Sequence, residues 1–136
     1  MTMYEDQVRE CHMAMDCPVD EPLSVVVLEL RYKLLAEELG ELKTEMDTLC
    51  QELTTTGKTN HDTRTRMLKE LSDLQYVLSG MAVSFGLPLE ESFARVHASN
   101  MTKLVNGKVL KRADGKYLKG PNYKPPFLDD LADTFD

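Results

Sequence analysis

The chain has 136 residues, 42% of them hydrophobic and 29% charged, with a net charge of −7. That length supports one hydrophobic core, and the composition excludes an intrinsically disordered chain. The longest apolar run, Val25 to Leu28, is far too short to span a membrane, and the acidic surplus offers no field to attract a nucleic-acid backbone. Met1 to Glu10 carries acids and no apolar stretch, and Cys11, Cys17 and Cys50 form no CxxC pair. The expectation is a cytoplasmic protein with three reduced thiols, no membrane partner and no nucleic-acid partner.

In chain order, the pattern predicts a short helix over Tyr4 to Met15, interrupted by Cys17-Pro18-Val19-Asp20-Glu21-Pro22 because each proline restricts itself and its predecessor. A long helix follows from about Leu23 to Leu53. Its apolar seam is Leu28, Tyr32, Leu35, Leu39, Leu42, Met46, Leu49 and Leu53, spaced by threes and fours. Thr54 to Asp62 is polar and contains Gly57 and Asn60, which marks a turn. A second long helix runs from about Thr63 to Phe85, with Met67, Leu71, Leu74, Leu78, Met81 and Phe85 as its seam and Gly86 as its stop. Pro88 opens a third helix reaching about Leu104. Beyond it, Asn106-Gly107, Asp114-Gly115 and Gly120-Pro121-Asn122 signal turns. The Asn-Gly and Asp-Gly pairs can support a small hairpin, and Phe127 to Phe135 a short terminal helix.

These elements make an all-α bundle with two long antiparallel helices and an irregular basic C-terminal segment. One domain is expected over 1–136, with a helical core over about 23–104 and a basic loop and tail over 105–136. Two or more copies are expected to pair over the long seams.

Two acidic groups carry the chemistry: Glu37-Glu38-Leu39-Gly40-Glu41 and Glu70-Leu71-Ser72-Asp73. At roughly 100° per residue, Glu38 and Glu70 stand roughly 60–70° from their seams, and Glu41 and Asp73 roughly 120–130°, all with the same sign. Antiparallel helices with facing seams then bring all four carboxylates to one side. Counted from the turn, however, the two pairs differ in depth by about 8 Å. Either the helix ends differ from those expected, or the turn climbs, or the acids converge across another helix pair. Clustered carboxylates repel one another, and a hard divalent ion such as Mg²⁺ or Mn²⁺ relieves that repulsion. Glutamates at helical spacing are also the usual make-up of a solvated face, which is the plain reading of Glu37, Glu45 and Asp47 taken singly.

On the third helix His97, Asn100 and Lys103 share a stripe. Asn100 can bond a base or sugar and Lys103 a phosphate, whereas His97 by itself reads as a partly buried histidine bonded to a neighbour. From Lys103 to Lys124 seven basic residues accompany one acid, Asp114. This segment suits a small anionic ligand, and it contains no P-loop.

Leu34-Leu35-Ala36-Glu37-Glu38-Leu39-Gly40-Glu41 followed by Glu70-Leu71-Ser72-Asp73-Leu74-Gln75-Tyr76 resembles the paired ExxE and ExxD motifs of the MazG-like all-α nucleoside triphosphate pyrophosphohydrolases. That superfamily includes phosphoribosyl-ATP pyrophosphohydrolases and dimeric dUTPases. Val96 to Lys103, Arg112 to Lys116 and Lys119 are similar to a bacterial and phage MazG-like branch, which places phosphoribosyl-ATP last among the substrates to expect. The resemblance covers roughly Leu28 to Lys124. It implies Mg²⁺-dependent cleavage between the α and β phosphates, giving a nucleoside monophosphate and pyrophosphate, as in nucleotide-pool house-cleaning. It further implies Glu38, Glu41, Glu70 and Asp73 as metal ligands and Glu37 as the catalytic residue that orients or deprotonates water. Asn100, Lys103, Arg112, Lys116 and Lys119 would bind the nucleotide, in a homodimer or tetramer. The competing expectation is a non-catalytic helical oligomerisation module.

Overall fold

Capping chemistry sets where the helices begin. In the computed structural model, which describes residues 2–136, α1 covers Met3–Ala14. Thr2 Oγ1 accepts from the Glu5 amide at 3.2 Å, and the Glu5 carboxylate accepts from the Thr2 amide at 3.0 Å, so each fills the other's open valence. Ser24 starts α2, Val25–Thr56, by accepting from the Val27 amide, and Gly57 stops it at φ 72°. Asn60 caps α3, His61–Phe85. Gly86 ends α3 at φ 63°, with the Leu87 amide reaching back to the Ala82 carbonyl. A side chain at Gly86 would also meet Asp20 Oδ1, 2.9 Å from where a Cβ would stand. The proline-rich connection between α1 and α2 is tied to this helix end. Its Asp20 and Glu21 amides donate to the Val83 and Ser84 carbonyls at 2.9 and 2.8 Å.

Thr2–Leu87 forms one compact unit, in which α2 packs antiparallel on α3 and α1 packs on α3. The α2–α3 contact corrects the expected seam. Leu35, Leu42 and Leu49 face inward as expected, but the alternate positions are Arg31, Glu38, Glu45 and Glu52, while Tyr32, Leu39, Met46 and Leu53 are exposed. On α3 the same rotation by one residue puts Glu70, Val77 and Ser84 inside and leaves Leu71 and Leu78 exposed. Sequence periodicity selects the most apolar stripe. The helices instead use the stripe beside it and leave half of the apolar one uncovered.

The second unit, Pro88–Asp136, contains α4 (Leu89–Met101), β1 (Leu110–Lys111) paired antiparallel with β2 (Tyr117–Leu118), and α5 (Asp129–Ala132). The segment expected to be irregular is two turns of built structure. Asn106 and Gly107 both take positive φ while Val105 and Lys108 exchange backbone bonds of 2.7 and 2.9 Å. Gly115, at φ 88°, lets the second hairpin close. The tail returns to one face of α4. Arg95 bonds both oxygens of Asp130, Ser99 Oγ donates to the Lys124 carbonyl at 2.6 Å, and Thr102 Oγ1 accepts from the Lys124 amide. Among the described residues no helix is long and apolar enough to cross a membrane.

Candidate metal centre

Glu38 and Glu41 come from α2, Glu70 and Asp73 from α3, and each offers an oxygen within 4.8 Å of the other three. The depth mismatch expected from the sequence is absorbed at the turn. Glu52 reaches across to accept from the Asn60 amide at 2.7 Å and from Thr63 Oγ1 at 2.6 Å. The start of α3 is therefore held level with Glu52, and the last turn of α2 overhangs it. Arg66 bonding Glu45 continues that register, which brings the two acid pairs level.

The cluster is only partly compensated. Glu38, Glu70 and Asp73 are half-buried and Glu41 is exposed. Oε2 of Glu38 and Oε2 of Glu70 are shut off from solvent and accept no hydrogen bond. Burial, then the neighbouring Glu41, push the Glu70 carboxyl above its ordinary pKa, against the pull of Lys69. Among the described residues Lys69 is the one cation at the cluster, its ammonium 2.7 Å from Asp73 Oδ2 and 3.8 Å from Glu70 Oε1. Its pKa is raised, first by the bond to Asp73. The sequence reading missed Lys69, although its place four residues before Asp73 was a visible signal.

A divalent ion fits these residues. The donor set is oxygen only, the donor atoms converge, and two of the sealed oxygens lack any partner, a state that is costly unless a cation completes it. Glu37 is exposed on α2 and stands outside the converging set.

The other expected site residues belong to the second unit. Asn100 is exposed on α4 and Lys103 is half-buried just past its end. Arg112 is held by Asp114, Nη2 to Oδ2 at 2.7 Å, while the Lys116 amide bonds the same carboxylate. The Lys119 ammonium lies 4.7 Å from the centre of the Tyr123 ring. His97 is exposed and makes no hydrogen bond among the described residues, which corrects the expected half-buried histidine. Cys11, Cys17 and Cys50 are free thiols.

The family model described as phosphoribosyl-ATP pyrophosphohydrolase matches residues 8–100. The match spans all four clustered acids and ends at Asn100, so Lys103 and the hairpin cations lie beyond it. No curated protein matches the chain.

Proposed function

The chain belongs to the phosphoribosyl-ATP pyrophosphohydrolase family, and from that premise we propose that it hydrolyses nucleoside and deoxynucleoside triphosphates between the α and β phosphates, dependent on Mg²⁺. The products are a nucleoside monophosphate and pyrophosphate, and the role is nucleotide-pool house-cleaning. One observation carries this reading: four carboxylates converge at the α2–α3 interface with two sealed oxygens that nothing among the described residues satisfies.

Glu38, Glu41, Glu70 and Asp73 hold the ion. When bound, Mg²⁺ supplies positive charge to the phosphate oxygens and makes nearby water more acidic. Glu37, beside Glu38 and free in solvent, steers water toward the α phosphorus and takes its proton. Asn100 holds the nucleoside. Lys103, Arg112, Lys116 and Lys119 bind phosphates and stabilise the departing pyrophosphate. Lys69 neutralises Asp73 and Glu70 until the ion arrives. The three free thiols support a reducing, cytoplasmic setting.

Tyr32, Leu39, Met46 and Leu53 form an exposed apolar stripe on α2, which supports pairing of two copies as a homodimer. Assembly alone, without catalysis, leaves the acid cluster unexplained. The family match gives phosphoribosyl-ATP a claim as substrate that the sequence motifs did not. The deciding experiment is product analysis over a panel of NTPs, dNTPs and phosphoribosyl-ATP with Mg²⁺. Monophosphate and pyrophosphate from wild type, absent with Glu38→Gln and Asp73→Asn, support the reading. Turnover that survives both substitutions overturns it.

A further inference from the structure

The stretch 120–124 is fastened to the end of α4 at several points. The Lys124 amide donates to Thr102 Oγ1 at 2.9 Å, and its carbonyl accepts from the buried Ser99 hydroxyl at 2.6 Å. The Tyr123 amide closes a turn onto the Gly120 carbonyl at 3.1 Å. Gly120 has no room for a side chain. A Cβ there would stand 2.6 Å from Val105 Cγ2 and 2.8 Å from the Lys103 carbonyl oxygen, so glycine lets the two stretches close on each other.

This fastening leaves a groove of about 480 Å³, lined by Thr102 and Leu104 and by Pro121, Asn122, Tyr123 and Lys124. Small-molecule sites have this size and this make-up, an apolar and aromatic lining with a few polar groups. Leu104, Pro121 and the Tyr123 ring are the apolar part. Asn122 brings an amide that both donates and accepts, and Lys124 an ammonium. Neither of these two side chains makes a hydrogen bond or an ion pair among the described residues. The Lys119 ammonium, 4.7 Å from the centre of the Tyr123 ring, adds a second cation beside the groove. Asp114, the one acid between Lys103 and Lys124, is already held by Arg112. An aromatic lining with uncompensated cations suits an anion that carries a flat apolar body better than a bare phosphate.

We propose that this groove binds the base of a nucleotide, stacked on Tyr123, with its polar edge read by Asn122 and its phosphate on Lys124. The inference rests on the nucleotide reading above and deepens it. It makes Asn122 and Tyr123 the residues that set base preference and leaves the sugar to Asn100. All three groove residues lie beyond residue 100, where the family match ends.

The chain contains no tryptophan, so Tyr123→Trp places a single emitter in the groove. The test titrates this variant with AMP, CMP, GMP and UMP, and with ribose 5-phosphate, which carries the charge without the base. The monophosphates quench the emission saturably, and ribose 5-phosphate leaves it unchanged. Asn122→Ala in the same background weakens the preferred base by roughly tenfold and narrows the differences among the bases, as expected for a lost edge contact. Lys124→Gln weakens every monophosphate alike, by roughly threefold or more. Equilibrium dialysis of the tryptophan-free chain keeps the test decisive if the substitution disturbs the loop. There Tyr123→Ala binds the best monophosphate roughly tenfold more weakly than wild type, the scale of a lost stacking partner. No binding by wild type, full binding by Tyr123→Ala, equal quenching by ribose 5-phosphate, or an unchanged base preference in Asn122→Ala overturns the proposal. Hydrolysis of triphosphates combined with any of these results removes the groove and leaves the reaction standing. Base-dependent quenching in a protein without turnover supports the groove and removes the reaction.

Discussion

Two stretches of the same α2–α3 interface carry carboxylates and treat them in opposite ways. Near the turn, Glu52 accepts from Thr63 and Asn60, and these bonds hold its pKa below the ordinary glutamate value. Glu45 is matched by Arg66 at 3.0 Å. Deeper along the helices, Glu38, Glu41, Glu70 and Asp73 face one another, and the Glu70 pKa moves up. Glu38 and Glu41 share their helix and residue type with Glu45 and Glu52, so the difference lies in the groups opposite. The satisfied acids fix the register of the helices, and the unsatisfied ones fit a cation. An acid is therefore better judged by what faces it than by its spacing.

The largest expected effect breaks the comparison at its deep end. Glu38→Gln or Asp73→Asn lowers kcat/KM by roughly 100-fold or more, the scale of losing transition-state charge stabilisation. In metal-free buffer Glu38→Gln melts at or above wild type, because a repelling charge is gone, whereas Asp73→Asn also loses its bond to Lys69. Steady-state assays and melting curves read both arms. Leu42, buried between the two stretches, serves both, and Leu42→Ala costs about 2–5 kcal/mol of stability by urea unfolding. Glu52→Gln frees the start of α3 and lowers the melting midpoint by a few degrees, and metal affinity falls only as far as the register slips.

The smallest effect sharpens the contrast through pH. Glu52 has a folded pKa below its ordinary 4.5, so its contribution is present above that pH and is lost as pH falls through the depressed value. Glu70 has the opposite sign. Its folded pKa lies above 4.5, so its contribution is present at low pH and is lost as pH rises through the raised value. In chelator, Glu70→Gln therefore gains on wild type as pH rises above 4.5, whereas Glu52→Gln loses on wild type as pH rises toward 4.5 and stays level above it. Melting midpoints across a pH series check both, and equal slopes for the two variants would remove the distinction.

Much of this was legible in the sequence. Caps and breakers place the helices to within a few residues, and Gly86 and Asn60 act where their chemistry predicts. The Asn-Gly and Asp-Gly pairs do form hairpins. The four converging acids are those that the ordered motifs single out. The interface stripe was not legible, because apolar periodicity points at Tyr32, Leu39 and Met46, while the helices meet through Arg31, Glu38 and Glu45. Nor was the register, which depends on Glu52 reaching over an overhanging turn, a contact that no local propensity encodes. Lys69 was visible only as one more surface pair.

The central claim is that Glu38, Glu41, Glu70 and Asp73 hold a divalent ion while Glu45 and Glu52 do not. Its most direct test is Mn²⁺ binding followed by loss of the free-ion electron paramagnetic resonance signal, for wild type, Glu38→Gln, Asp73→Asn and Glu45→Gln. The account predicts that wild type and Glu45→Gln deplete the free ion alike, and that Glu38→Gln and Asp73→Asn leave it in solution. Equal depletion by all four proteins, or none by wild type, would contradict it.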